Sequence, residues 1–505
     1  MLDGLTDACA RARPLPPRSG TQTLAFASSR TLGPARSPQP SPARLVSIPV
    51  RRLFPLTVLL CLLLSAPASA SRTQALTFEA PRDLMNPVTR PAALKELQSL
   101  GVKSLRVILL WSAVAPAADQ AKMPNFEPSD PNAYNWGEYD ALMAAAKARN
   151  WSVLMTISGP VPKWATAAKR DNLTRPSPSA FAAFATAVGR KYGDQVGTWA
   201  IWNEPNQPQF LRPQFAGGGR AASPRIYRSL FLAAQRGLRT ANQGADTILI
   251  GETSPRGTPR VVAPLRFLRA MLCLDARYKK RGTCAPLSAG GYAHHAYTTR
   301  QGPSFKPPAD DVTIGALSRL TKALDRARSA GALTSRLPIH LTEFGIQSTP
   351  DTIAGVSLSK QVEYRAISEK IAYDNPRVVS FSQYLLRDSD ATTGPDGKKS
   401  YGGFESGLRF ADGKPKPSLP AFRLPLAVRR VGSKATVWGL ARPATGVTSV
   451  TVTYANKRSS RFLPLKTVQT NALGYFQFTA AYKAGRRWNV TWQGLSGSPV
   501  GSHTR

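Results

Sequence analysis

Two glutamates in this chain are placed to do chemistry. Glu204 lies in Trp202-Asn203-Glu204-Pro205-Asn206 and Glu343 in Leu341-Thr342-Glu343-Phe344-Gly345. Each ends a short apolar run, where a buried charge is costly unless something pairs with it or uses it. Either glutamate alone reads as a salt-bridged strand end. Two in one chain, each in a tight motif, match the demands of acetal hydrolysis. One carboxyl protonates the leaving oxygen and needs a raised pKa, while the other attacks the anomeric carbon and must be ionised. A separation of ~5–5.5 Å gives retention of configuration, and ~6.5–9.5 Å leaves room for a water and gives inversion.

Further residues join them. Arg106 is a charge inside the apolar stretch Leu105–Leu110 and needs a buried partner. Ala293-His294-His295-Ala296-Tyr297 holds a histidine pair that could serve a metal, but no third ligand stands out, so neither metal nor organic cofactor is expected. Trp111, Trp164, Trp202 and Tyr384 fall near strand ends, where an aromatic face could stack on a sugar or simply pack in the core. Glu79 and Glu252 are additional strand-end carboxylates that would bind substrate or pair with an arginine.

Elements must carry these residues. Short, mostly continuous apolar runs occur at Leu76–Glu79, Ser104–Leu110, Ser152–Ser158, Gly197–Asn203, Thr247–Gly251, Gly291–His295, Ile339–Phe344 and Val378–Leu385. Such runs suit parallel strands buried on both faces. Helical patterns lie between most of them. Pro91–Leu100 puts Ala93, Leu94, Leu97 and Leu100 on one face. Ser177-Pro178 opens a helix with Phe181, Phe184, Ala185 and Val188 at helical spacing, and Ser223-Pro224 opens another with Tyr227, Leu230, Phe231 and Ala234. Leu317, Leu320 and Leu324 mark a further one. Eight strands alternating with helices predict an α/β fold, a (β/α)8 TIM barrel over 71–422. An open doubly wound sheet is the rival, but Phe78-Glu79-Ala80-Pro81-Arg82 is not the glycine-rich turn it would want. Active sites of such barrels stand at the C-terminal ends of the strands, where both glutamates fall.

On these residues the chain resembles glycoside hydrolase clan A, the retaining (β/α)8 glycosidases, and within it families five and thirty-nine. Trp202-Asn203-Glu204-Pro205 is similar to the clan's acid/base motif on the fourth strand, and Thr342-Glu343-Phe344-Gly345 to its nucleophile motif on the seventh. The likeness spans roughly Leu76 to Phe422. It implies that Glu204 is the acid/base and Glu343 the nucleophile. Asn203 would bond the sugar 2-hydroxyl, Arg106 would lower the nucleophile's pKa, Tyr297 would donate to the nucleophile, and His295 would line the −1 subsite. Trp111 and Trp202 join the substrate-binding set, with Gln383 or Tyr384 standing where many clan members carry a tryptophan on the eighth strand. The function implied is hydrolysis of O-glycosidic bonds, β-linked in expectation, in an oligo- or polysaccharide. A non-catalytic cell-surface glycan-binding protein on the same barrel is the alternative. Sugar identity depends on loops such as Ala117–Pro131 and Gln207–Gly219.

The ends of the chain read differently. Residues 1–50 are rich in Arg, Pro, Ser and Ala. Arg51-Arg52, an apolar run from Leu53 to Leu64, and Ala68-Ser69-Ala70 have the form of a signal peptide, so 1–70 are expected to be a leader and the protein secreted or wall-associated. The apolar run is too short for a membrane span, which needs ~20 residues. Cleavage after Ala70 removes Cys9 and Cys61 and leaves Cys273 and Cys284, expected to form one disulfide in an oxidising compartment. Lys414-Pro415-Lys416-Pro417 reads as a linker or a surface crossing. Strand signals at Ala435–Leu440, Val447–Tyr454, Arg461–Val468, Tyr475–Ala480 and Trp488–Trp492 predict a small all-β sandwich over 426–495, followed by a structureless tail, 496–505. The chain of 505 residues carries 67 basic against 29 acidic side chains, a formal charge of +38. That excess is spread along the chain without a nucleic-acid-binding motif. Anionic cell-wall polymers are therefore candidate partners and nucleic acid is not, and a monomer is expected.

Overall fold

In a computed structural model, residues 74–394, 397, 399–401 and 404–504 are described. The expected leader and export signal lie outside them. Eight parallel strands close into a barrel: β1 (Ala75–Glu79), β2 (Ser104–Leu110), β3 (Ser152–Ser158), β4 (Val196–Ile201), β5 (Thr247–Thr253), β6 (Gly291–His295), β7 (Ile339–Glu343) and β8 (Val378–Tyr384). They neighbour one another in chain order, and β8 returns to β1 with Glu79 opposite Tyr384. Helices α1 (Arg90–Ser99), α2 (Gly137–Lys147), α3 (Pro178–Tyr192), α4 (Ser223–Thr240), α5 (Pro264–Met271), α6 (Leu317–Ser329) and α7 (Leu358–Asp374) alternate with the strands.

The outward residues of each strand bury against these helices. Leu105, Val107 and Leu109 of β2 share one cluster with Leu94 and Leu97 of α1 and with Leu142 and Met143 of α2. Burial on that side, with side chains filling the barrel on the other, explains why the strands read as unbroken apolar runs. Leu154, Ala200, Leu249 and Ala293, one from each of β3 to β6, form a separate small cluster. Helix starts follow local rules. Ser177 caps α3 by accepting from the Ala180 N–H at 3.3 Å, with Pro178 in the first turn, where its missing N–H costs nothing.

Beyond the barrel, α8 (Ser418–Arg423) leads into two antiparallel sheets. One is β9 (Leu426–Val431), β10 (Lys434–Leu440) and β13 (Tyr475–Ala481). The other is β11 (Ser449–Ala455), β12 (Leu463–Gln469), β14 (Arg487–Trp492) and β15 (Leu495–Ser496). Val428 and Val437 from the first sheet meet Val450, Val452, Trp488 and Val490 from the second in one core. The first sheet also seats on α7, where Trp438 and Tyr475 pack with Ala366, Ile367 and Tyr373.

The structure departs from the sequence reading in three places. Strand β9 follows directly on the proline-rich stretch and was not among the expected strands. The expected structureless tail takes part in the fold: Val500 is buried and exchanges two backbone hydrogen bonds with Trp488. Lys416 is no linker residue. It is buried, and its Nζ donates to Asp388 Oδ1 at 2.8 Å, Ser348 Oγ at 3.0 Å and the Glu405 carbonyl at 3.2 Å.

Candidate active site

Arg106 is the hub of the barrel's C-terminal end. Its position on β2 points the side chain inward, where burial would be costly without partners. It has five acceptors. The Nη1 group donates to Glu343 Oε2 at 2.9 Å and also contacts Glu79 Oε2. Nη2 donates to Asn203 Oδ1 at 2.7 Å, while Nε and Nη2 grip the two oxygens of Glu252 at 3.1 Å each. The extra strand-end carboxylates Glu79 and Glu252 thus take the arginine-pairing role, which sequence reasoning had left open.

The two motif glutamates stand at the ends of β4 and β7 and are bridged by one ring. His295 Nδ1 lies 2.9 Å from Glu204 Oε1 and 3.6 Å from Glu343 Oε2. Tyr297 donates to Glu343 Oε1 at 2.7 Å, so each oxygen of that carboxylate is fixed by a donor. The Glu204 and Glu343 side chains keep 14% and 11% exposure, whereas Arg106 and Glu252 keep none. A ligand would therefore reach the two glutamates and leave the supporting ions behind them.

The backbone that presents these groups is strained. Trp202, Glu204 and Glu252 have φ of +71°, +39° and +45°. Non-glycine residues enter that region at a cost, and only where the surroundings impose it. Here the Glu204 N–H donates to the Glu252 carbonyl at 3.1 Å and the Asn203 N–H to Ser158 Oγ at 3.0 Å. A register shift between Gly251 and Thr253 lifts Glu252 out of the ladder and aims it at Arg106. Gly251 must be glycine, because at φ +113° a Cβ would come within 2.6 Å of the Ala293 carbonyl.

The electrostatics set the two glutamates apart. Burial pushes the Glu204 carboxyl above its ordinary range, and the negative charge of Glu343 adds to it, against a hydrogen bond from His295. Burial acts on Glu343 as well, but His295, Arg106 and the Tyr297 hydroxyl outweigh it and hold that carboxyl below the ordinary range. Burial works against a charge on His295, yet Glu343 and Glu204 raise its pKa. Burial, reinforced by Glu343, takes Glu79 up to about 7, since Arg106 divides its attraction among three carboxylates. The arrangement shifts one carboxyl toward keeping its proton and the other toward losing it, the split that acetal chemistry uses.

Of the residues named from sequence, Glu204, Glu343, Arg106, Asn203, His295 and Tyr297 converge here. Asn203 turns its oxygen to Arg106, which leaves its amide N–H groups to donate to a ligand. Tyr384 stands beside them, its hydroxyl held un-ionised by burial and by Glu343, with Phe404 edge-on at 5.7 Å. Three residues need correction. Trp111 is fully buried and stacks on Phe184 of α3 at 4.9 Å, so it is core. Trp202 is equally buried, packed on Phe181 and against Gly159, with its N–H donating to the Phe210 carbonyl. Gln383 accepts from Arg365 Nε at 2.9 Å and donates to the carbonyls of Tyr384 and Ser406, so its amide is consumed inside the protein. Trp164 is buried too. Cys273 and Cys284 form a disulfide with Cα atoms 6.1 Å apart, in the loop between α5 and β6. The sequence signal for these supports was the strand-end carboxylate itself, at Glu79 and Glu252.

No family model matches the sequence, and no curated protein matches it. Solved structures of similar fold include a glucosidase from Croceicoccus marinus, 12% identical, covering 84% of this chain and 96% of its own with a TM-score of 0.49. A beta-glucosidase from Exiguobacterium marinum is 14% identical over 70% of this chain and 97% of its own, with a TM-score of 0.45. Xylanase 10B from Thermotoga maritima is 15% identical over 69% and 94%, with a TM-score of 0.42.

Proposed function

We propose that the chain is a secreted, retaining glycoside hydrolase acting on β-linked sugars. The observation that carries this is the pair Glu204 and Glu343, joined through His295 and shifted in opposite directions from the ordinary carboxyl pKa. In the first step Glu343 attacks the anomeric carbon while Glu204 gives its proton to the departing oxygen. A covalent glycosyl ester on Glu343 results, and Glu204 is left ionised. In the second step Glu204 takes a proton from water, the hydroxyl displaces Glu343, and both carboxyls return to their starting states. Arg106 and Tyr297 hold the nucleophile's oxygens and oppose its protonation, and Asn203 is free to donate to the hydroxyl beside the reacting carbon.

Retention rather than inversion is favoured by the histidine bridge. The two oxygens that His295 Nδ1 touches can be no farther apart than its contacts of 2.9 and 3.6 Å laid end to end. That limit falls at the short edge of the ~6.5–9.5 Å that an inverting water needs. Export is supported by the Cys273–Cys284 disulfide, which suits an oxidising compartment.

The test is a panel of β-linked aryl glycosides and polysaccharides, with a mechanism-based 2-fluoro glycoside and mass spectrometry. Hydrolysis, with the label on Glu343 and both signals gone in Glu343→Ala, is the expected result. No turnover across the panel, with glycan binding unchanged by Glu343→Ala, would transfer the assignment to a non-catalytic glycan-binding protein.

A further inference from the structure

The loops that follow β3, β4 and β5 carry a concentration of cations that outnumbers the anions among them. A cleft of about 730 Å³ is lined by Arg175, Arg212 and Arg260 with Pro208, Pro213 and Phe215. It is built from the loops after β3, β4 and β5, at the barrel end that holds the glutamates. A second cleft of about 670 Å³ shares Arg175 and Pro213 with it and adds Arg220, Arg225 and Arg266. All six arginines are exposed, and among the described residues none of them makes an ion pair. Acids of the second cleft are already taken: Asp310 is held by Arg269 at 2.7 Å and Asp275 by Arg281 at 3.1 Å. Elsewhere on the barrel, arginines such as Arg377 and Arg409 rest on Asp325 and Glu96.

Three of these side chains are held in place by backbone carbonyls, and Arg212 lies near enough to Asp171 to help lower that carboxyl's pKa. Arg212 Nε donates to the Pro208 carbonyl at 2.7 Å, Arg266 Nη2 to the Gly219 carbonyl at 2.7 Å and Arg220 Nε to the Gly217 carbonyl at 3.3 Å. Arg266 also lies 5.5 Å over the Phe215 ring. Backbone bonds tie the two loops, Arg175 N–H to the Arg212 carbonyl at 2.9 Å and Arg212 N–H to the Leu173 carbonyl at 3.0 Å. Six like charges along joined clefts, three of them held by backbone carbonyls, repel one another, a cost that a bound anion lowers. Guanidinium groups suit carboxylate and sulfate by bidentate bonding, and the prolines and Phe215 offer apolar surface to sugar rings.

We propose that this arginine-lined groove binds the leaving-group portion of an anionic polysaccharide. The assignment of side rests on the glycosidase reading. The leaving oxygen must reach Glu204, and Pro208 follows Glu204 by four residues, within roughly 15 Å along the chain. The Gln207 N–H folds that segment back onto the Glu204 carbonyl at 2.9 Å. The shared chemistry is a row of acid groups, carboxylate or sulfate ester, on a sugar chain.

Binding tests this without turnover. Hyaluronan fragments, the same fragments with carboxyls reduced to alcohols, and dextran sulfate are titrated against the whole protein. Two triple variants are compared: Arg175→Ala/Arg212→Ala/Arg260→Ala in the groove, and Arg429→Ala/Arg458→Ala/Arg461→Ala on the β-domain. The expected result is retention of hyaluronan, dextran sulfate or both, none of reduced hyaluronan, and a loss of about tenfold in the groove triple against about twofold or less in the control. A preference between the two polymers names carboxylate or sulfate as the acid. Melting temperatures confirm folding, and Arg260→Glu alone gives a second measure, expected to weaken binding more than Arg429→Glu. Equal losses in the two triples would reduce the effect to net charge and overturn the proposal. So would equal binding of reduced hyaluronan, or an oligodeoxynucleotide that binds more tightly than the polysaccharides. If Glu343 fails to label while the groove results hold, the glycosidase reading and the leaving-group assignment fall and the groove stands as a site for an anionic polysaccharide; the converse removes the groove alone.

Discussion

Arg106 and Arg365 are both buried guanidiniums, and their surroundings differ in the sign of what is left over. Around Arg106 stand Glu79, Glu252 and Glu343, with Glu204 and His295 next to them. Around Arg365 stands Glu369 at 3.0 Å, shared with a second cation, Arg442 of the β-domain. The first cluster has surplus carboxyl and the second has surplus guanidinium. A carboxyl can relieve a surplus by keeping a proton, and burial raises Glu204 and Glu79 accordingly. A guanidinium is far harder to discharge. Burial lowers Arg365 only to about 10, so it stays charged at neutral pH. The second cluster instead offers neutral acceptors and ring faces. Gln383 Oε1 takes Arg365 Nε at 2.9 Å, and the Phe381 and Phe422 rings lie 4.4 Å from Arg365 and Arg442. Surplus acid in a barrel mouth yields proton donors; surplus arginine at the seam between barrel and β-domain yields attachment.

Removing the hub should break the first cluster in two ways at once. Arg106→Met leaves Glu252, Glu79 and Glu343 without their cation, and an uncompensated buried charge costs about 3–5 kcal/mol in unfolding free energy. Surviving turnover should show an acid limb moved to higher pH, because Glu343 loses a neighbour that holds its carboxyl down. Glu204→Gln should cut kcat/KM by about 10³-fold for glycosides with poor leaving groups, and far less for activated ones, which need little protonation. The basic limb of the pH profile should disappear with it, since that limb belongs to the raised Glu204 carboxyl. The seam should behave otherwise. Glu369→Gln should lower stability by about 3 kcal/mol in denaturant titration while both limbs of the pH profile stay in place. A limb that moves in Glu369→Gln would mean that the seam reaches the site, through Gln383 and the Tyr384 carbonyl that it bonds.

Legibility followed the same division. The barrel strands stood out because burial on both faces leaves unbroken apolar runs, and β2, β3 and β6 match the expected bounds residue for residue. Strand β9 was hidden, since Leu426–Val431 ends in exposed residues just after a proline-rich stretch and so carries half a pattern. The two glutamates were legible from their motifs, whereas the roles of Trp111, Trp202 and Gln383 were not. An aromatic at a strand end faces ligand or helix according to local backbone, and Trp202 at φ +71° turns toward Phe181. Gln383 was decided by Arg365 on α7, a partner that no local spacing announces. Glu79 and Glu252 were visible as odd carboxylates, but their partner, Arg106, is brought to them only by barrel closure. Lys416 was obscured by composition, because a lysine between two prolines looks solvated until Asp388 is placed against it.

Glu79 offers the finest test of the contrast between the clusters. It contacts Arg106 yet titrates at about 7, so it is a neutral acid through the lower half of the accessible pH range. A folded-state pKa above the ordinary carboxylate value means that the native state binds this proton more tightly than the unfolded chain does. The resulting stability is fully present below about 4.3, the ordinary glutamate value, and is lost as pH rises through about 7. Glu79→Gln should therefore flatten the fall of melting temperature across that interval, with little change at its acid end. The acid limb of kcat/KM should not move, because Glu79 is already uncharged where Glu343 takes up its proton. If Glu79 were instead ionised against Arg106 throughout, its removal would relieve a repulsion on Glu343 and shift that limb to lower pH. An unshifted limb with a flattened melting curve makes Glu79 a second proton store behind Glu343; a shifted limb makes it one more anion competing for Arg106.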